Sequence, residues 1–270
     1  MNQKELREAF RTNKRVYGTL ISSPNPKFIG EIKKLDLDFV FIDTEHIPLD
    51  RSMVSWMCQT FSAMDIAPIV RIPSPSPYEA CIALDGGACG ILAPYLETVE
   101  QVQDLRGAVK YRPLKGERLK KVLRGEEKLS GTEEDYLKAY NDNHIMLLNI
   151  ESTYGIHNLD ALLSVPDVDG VFIGPHDLSV NMGVPEDYED EGWNLAVSDI
   201  IKRCRTNHIG VGNHFSFGIE KQIQWAKEGM NIIIWNADMI RIIQALREDF
   251  RYIREQLGDE ADIDKREISI

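Results

Sequence analysis

Short, continuous apolar runs alternate along the chain with longer segments whose apolar residues fall at helical spacing. Phe39-Val40-Phe41-Ile42, Pro68-Ile69-Val70-Arg71-Ile72, Gly90-Ile91-Leu92-Ala93 and Ile145-Met146-Leu147-Leu148-Asn149-Ile150 are the clearest runs. Tyr17 to Ser22 opens the series; Val171-Phe172-Ile173, Gly210-Val211-Gly212-Asn213-His214 and Ile232-Ile233-Ile234-Trp235 complete it. Runs that are apolar at every position suit strands of a parallel sheet covered on both faces. Between them the spacing predicts helices over about 26–35, 51–64, 78–84, 98–109, 156–163, 193–207, 219–228 and 239–257, with Thr98 as an N-cap. A small extra helix is expected over 133–141. Residues 112–131 are polar and contain glycine, and are read as one long loop; a loop of that length in a compact domain is usually functional or disordered. Eight strands, each followed by a helix, predict an α/β fold: a (β/α)8 TIM barrel forming a single domain over residues 1–270, with a long last helix and an acidic tail. An open doubly wound sheet is the alternative, but no G-x-G-x-x-G follows the first strand.

Length agrees with this, since 270 residues is typical of one such barrel. The formal net charge of -12 argues against a nucleic-acid backbone as partner. No apolar run reaches membrane-spanning length and the N-terminus is not signal-like, so no membrane is expected. Cys58, Cys81, Cys89 and Cys204 are scattered without a C-x-x-C, which points to reduced, structural thiols and a cytoplasmic setting.

Chemistry in such a barrel gathers at the C-terminal ends of the strands. Those positions hold Asp43, Glu45, His46, Arg71, Glu151, Asp177, His214 and Asp238. Glu151 and Asp177 each follow an apolar run, on successive strands. Each alone could cap the next helix. Together they point to a shared divalent cation, and two carboxylates with open positions suit Mg²⁺ or Mn²⁺ better than Zn²⁺. Arg71 either pairs with an acid in the barrel mouth or clamps a substrate carboxylate and a developing oxyanion. His46, three residues beyond Asp43, can be charged and oriented by that carboxylate as a general base; a helix-capping Asp and a surface His are the plain alternative. His176 and His214 are weaker candidates at the rim.

These strand ends together resemble the HpcH/HpaI aldolases, the metal-dependent pyruvate aldolase group. The resemblance rests on D-T-E-H (Asp43 to His46), V-R-I-P (Val70 to Pro73), L-D-G-G-A-C (Leu84 to Cys89), N-I-E (Asn149 to Glu151) and F-I-G-P-H-D-L-S (Phe172 to Ser179). It implies Mg²⁺, Mn²⁺ or Co²⁺ as cofactor and a homo-oligomer, usually a hexamer with exchanged C-terminal helices. It places Glu151 and Asp177 as metal ligands, Arg71 on the pyruvate enolate and His46 with Asp43 as base. By the same likeness Asp85 matches an acid serving a neighbouring subunit's site. Arg118, in a P-x-x-G-x-R stretch with Pro113 and Gly116, matches a loop bordering the active site. Gly174, Pro175 and Ser179 fall in the substrate-binding motif. Asn149 departs from the Gln of many members, and His176 fills the motif's variable position.

The expected activity is reversible cleavage of a 4-hydroxy-2-oxo acid to pyruvate and an aldehyde through a metal-stabilised enolate. Oxaloacetate decarboxylation or a bond-forming synthase would use the same enolate. A CoA-thioester lyase of the citrate lyase type and a non-catalytic acid-binding barrel are the more distant alternatives. No lysine lies within an apolar strand to serve as a Schiff base.

Overall fold

The computed structural model describes residues 1–216 and 218–259; the acidic tail expected after the last helix falls mostly outside them. The eight strands are β1 (Val16–Leu20), β2 (Phe39–Asp43), β3 (Ala67–Arg71), β4 (Gly90–Ala93), β5 (Ile145–Ile150), β6 (Gly170–Ile173), β7 (Gly210–Phe215) and β8 (Ile232–Ala237). All are parallel, in sequence order, and β1 pairs with β8 to close the barrel. The chain therefore forms one (β/α)8 barrel, as the alternation of runs predicts.

Every residue of β2, β4, β5 and β6 is buried, because one side of each strand faces the barrel interior and the other the helices. Leu20, Phe41, Ile69, Leu92, Leu147, Phe172 and Ile234 fill the inside. Val40, Ile42, Val70, Ile91, Leu148 and Val171 pack outward on the helical layer. The helix Gln3–Arg11 closes the N-terminal end by inserting Leu6 and Phe10 into the interior layer. Beneath it the fully buried Asp169 pairs with Arg7 Nε (2.7 Å), Arg11 Nη2 (2.9 Å) and Lys110 Nζ (2.8 Å). Burial pushes the Asp169 carboxyl up, but Lys110 and Arg7 outweigh it and hold the group below its ordinary value.

Two local expectations change, and one further helix is found. Residues 112–131 are not one loop, since Gly116–Leu123 is a helix. Its Leu119 and Leu123 lie against Gly107, a short apolar edge that the surrounding charges mask in the sequence. The helix expected over 156–163 is two short ones, Thr153–His157 and Leu159–Leu163, meeting at Asn158. Pro175–Asn181 is helical, with proline in its first turn where a missing N–H does no harm.

The last helix, Asp238–Leu257, packs on the barrel only through its first turns, where Asp238 and Ile240 are buried. Ile242, Ile243, Leu246, Phe250, Ile253 and Leu257 are 40–71% exposed. Beside the start of this helix an apolar groove of about 560 Å³ opens over β1 and β8, lined among others by Phe28, Ile32, Leu35, Leu37, Ile233 and Trp235. The helix stripe thus does not cover its own barrel.

Candidate active site

At the C-terminal rim the register pairs Asp43 of β2 with Arg71 of β3, so the two side chains meet across neighbouring strands. Arg71 Nε donates to Asp43 Oδ1 (2.8 Å) and Nη2 to Oδ2 (2.5 Å), a bidentate pair almost wholly buried. Asp43 also accepts from Glu45 N–H (3.0 Å). Burial raises the Asp43 carboxyl, and the Arg71 hydrogen bonds and charge reverse this, leaving it below the usual value. Glu45 Oε2 lies 3.3 Å from the same Nε, with its side chain 6% exposed.

This geometry corrects the expected Asp43–His46 dyad. The Asp43 carboxylate is committed to Arg71. His46 is half exposed at the rim, and the carboxylate near it is Glu45, with Nε2 3.8 Å from Oε2. Of the two options raised for Arg71, pairing with an acid in the barrel mouth is the one observed.

Glu151 follows β5 and points inward, 7% exposed. Asn149 Nδ2 donates to its Oε1 (2.6 Å) and Tyr95 N–H to its Oε2 (2.9 Å). Tyr95 can aim its N–H there because its backbone is left-handed, φ 54°. Gly174 makes room: a Cβ at that position would lie 2.6 Å from Glu151 Cγ. Burial pushes the Glu151 carboxyl up to about 7; Asp177 and Glu45 add to this, while the Tyr95 N–H and Arg71 oppose it. Asp177, two residues into the helix after β6, shares with Glu151 a cleft of about 350 Å³ that also touches Tyr95, Glu97, Ser152 and His176.

Two acidic oxygen donors suit a hard divalent cation. Among the described residues no three His, Cys, Asp or Glu side chains form a ready cage. The pair therefore fits an ion that keeps water and substrate in its remaining positions. Burial and the neighbouring Asp177 and Glu45 outweigh Arg71 at Glu151, an excess of negative charge that a cation would offset.

The remaining predicted residues are dispersed. Gly174 and Pro175 shape the rim. Ser179 is fully buried; its hydroxyl donates to the His176 carbonyl (2.7 Å) and accepts from Glu186 N–H (3.0 Å), so it holds a turn. His214 Nε2 donates to the Asn236 carbonyl (2.9 Å), and burial, with Arg71 nearby, pushes its imidazole down to about 4. Asp238 accepts from Ser22 and Ser23 N–H groups and fixes the turn after β1. Asp85 and Arg118 lie at the other end of the barrel, because helices following β3 and β4 run back from the rim. Asp85 pairs with Arg112 (2.7 Å), and Arg118 with Glu127 (2.6 Å) and Glu133 (2.7 Å). Neither borders this chain's own cleft.

The sequence named Glu45 without a role and passed over Tyr95. Tyr95 follows Pro94 at the end of β4, and that rim position was its only signal. Its interaction with Glu45, aided by burial, holds its hydroxyl proton well above the usual phenol range.

A family model described as HpcH/HpaI aldolase/citrate lyase matches residues 17–245. A 2-keto-3-deoxy-L-rhamnonate aldolase of Salmonella gallinarum (strain 287/91 / NCTC 13346) is 31% identical over 247 residues, 89% of each chain. A hydroxypyruvate/pyruvate aldolase of Roseovarius nubinhibens is 30% identical over 78% of this chain and 81% of its own. The crystal structure of the citrate synthase SbnG superimposes with a TM-score of 0.79 at 25% identity, covering 94% of this chain and 99% of that one.

Proposed function

The chain belongs to the HpcH/HpaI aldolase/citrate lyase family, and from that premise we propose that it reversibly cleaves a 4-hydroxy-2-oxo acid to pyruvate and an aldehyde. The observation that carries this reading is the buried Glu151 sharing one cleft with Asp177, within electrostatic reach of Arg71. Glu151 and Asp177 would hold Mg²⁺, Mn²⁺ or Co²⁺, which supplies chelation and Lewis-acid polarisation of the 2-oxo acid. Asn149 and the Tyr95 N–H fix the Glu151 carboxylate, so the ligand is oriented before substrate arrives.

Arg71, held rigid by Asp43, presents Nη1 to the oxygen that becomes negative when C3–C4 breaks. His46 takes the C4 hydroxyl proton, with Glu45 as the neighbouring carboxylate. The C3–C4 electron pair then moves into the 2-oxo group to give the pyruvate enolate, the aldehyde leaves, and C3 is protonated. A coupled lactate dehydrogenase assay on a 4-hydroxy-2-oxo acid tests this. Pyruvate release should stop with EDTA and return with Mg²⁺ or Mn²⁺; undiminished release from metal-stripped protein would contradict it. The likeness to a citrate synthase favours one second reading, bond formation from the same enolate. Product analysis with oxaloacetate separates the two.

The exposed stripe on the last helix and the apolar groove over β1 and β8 support a homo-oligomer in which this helix covers a neighbouring copy, as in a hexamer with exchanged C-terminal helices. Each apolar side chain so buried stabilises by about 1.5–3 kcal/mol. Leu246→Asp with Phe250→Asp should therefore shift the sedimentation coefficient to that of a smaller species. An unchanged coefficient would rule out this use of the helix.

A further inference from the structure

An imidazole stands on the floor of the barrel mouth. Strand β7 turns Val211 and Phe215 to the outer layer, so by alternation Gly212 and His214 face the interior. The aromatic packing agrees: the His214 ring centroid lies 5.9 Å from that of Phe41, an interior residue. Phe41 also stacks on Phe172 (6.0 Å) and carries the Arg71 guanidinium, with Cζ 5.6 Å from the ring centre. His214 and Arg71 therefore flank one ring.

The tautomer of His214 is fixed by a group that can only accept. Nε2 lies 2.9 Å from the Asn236 carbonyl, so Nε2 carries the proton and the neutral ring has a bare Nδ1. That carbonyl is itself held. Asn236 is buried in a left-handed backbone, φ 58°, and its Oδ1 accepts from Ala237 N–H (2.8 Å). Burial and the Arg71 charge keep the ring neutral, down to about pH 4. The other inward polar groups are committed or sealed. Asp43 is given to Arg71, Asn149 Nδ2 to Glu151, and Asn149 Oδ1 is buried. Phe41 and Phe172 offer no acceptor. His214 keeps partial exposure, so its Nδ1 can still receive a donor from the mouth.

We propose that His214 is a positioning residue whose Nδ1 orients the water that exchanges the proton at C3. This rests on the aldolase reading and adds the step after bond cleavage. His46 has then taken the C4 hydroxyl proton, and the enolate needs a proton on C3. The water gives one hydrogen to C3 while its other is held by Nδ1. The hydroxide so formed takes the proton from His46, which returns to neutral. His214 accepts a hydrogen bond throughout and gains no proton, which its low basicity suits.

The test compares two rates in heavy water with Mn²⁺: deuterium exchange into the pyruvate methyl group, and single-turnover release of acetaldehyde from 4-hydroxy-2-oxopentanoate. Their ratio within each protein cancels differences in folded fraction and metal loading. His214→Leu should lower exchange by about 10²-fold and aldehyde release much less. His214→Asn, which keeps a neutral acceptor near the Nδ1 position, should recover most of the ratio. A wild-type ratio in His214→Leu, or the same loss in both variants, overturns the inference. A readout without metal or substrate is the ¹⁵N NMR spectrum at pH 6, in which the signals lost in His214→Asn should show a protonated Nε2 and a bare Nδ1. A protonated Nδ1 also overturns the inference. Wild type that exchanges while either result fails defeats the inference alone; no exchange by wild type with Mg²⁺ or Mn²⁺ defeats the aldolase reading and the inference with it.

Discussion

Replacing Glu151 by glutamine is expected to reduce metal-dependent turnover by about 10³-fold or more while making the metal-free protein more stable at pH 8. Both effects come from one group. The carboxyl is pushed up to about 7 by burial and by Asp177 and Glu45, against an unfolded value of about 4.3. For an acid raised in this way, stability is fully present below the unfolded value. It is lost progressively as pH rises to about 7, because the folded state must then ionise a group it holds poorly. The full loss is about 4 kcal/mol, at 1.36 kcal/mol per unit. Glutamine keeps the shape and removes the charge, so the variant should melt higher than wild type at pH 8 and near it at pH 4.5. Adding Mn²⁺ at pH 8 should raise the wild-type melting temperature and leave the variant's unchanged. Equal melting curves for the two proteins across pH would show that Glu151 is not held as described.

Arg71→Lys is expected to lower kcat by about 10²–10³-fold, the range for loss of one oxyanion donor, with KM changed less. Lysine keeps the charge but not the planar fork that grips Asp43 through Nε and Nη2 while presenting Nη1. Arg71→Ala should go further. It strands the 1% exposed Asp43 carboxylate, and breaking a buried pair from one side costs about 3–5 kcal/mol. Urea denaturation separates the variants: the lysine variant should stay folded with poor turnover, and the alanine variant should lose stability as well. A lysine variant with near wild-type kcat would remove Arg71 from the chemistry.

The barrel was legible because parallel strands covered on both faces leave continuous apolar runs, as at Ile145 to Ile150, and each run was bounded by a turn. The helix Gly116–Leu123 was not, since none of its residues is fully buried and its short edge of Leu119 and Leu123 is hidden among charges. At the site, the sequence placed Asp43, His46, Arg71, Glu151 and Asp177 at strand ends, because an apolar run followed by a charge locates a rim. What it missed was partnership. Asp43 and His46 are near in sequence, and the local spacing suggested a dyad, whereas the register of β2 on β3 sets Asp43 opposite Arg71. Register is a property of the closed barrel and leaves no trace in either segment alone. The same holds for Tyr95, whose N–H reaches Glu151 across 56 residues of chain. Asp85 and Arg118 lie far from the cleft for a topological reason, the return of each helix to the opposite end of the barrel.

On the proposed reading this cleft forms the pyruvate enolate with a divalent cation on Glu151 and Asp177. The most direct measurement follows the pyruvate methyl proton signal by NMR in heavy water, with Mn²⁺ or Mg²⁺ and then with EDTA, and requires no aldehyde. The signal should be lost with metal, the loss should stop with EDTA, and Glu151→Gln should show none above background. A methyl signal that persists with folded wild-type protein and every metal tried, or that decays equally in EDTA, would contradict it.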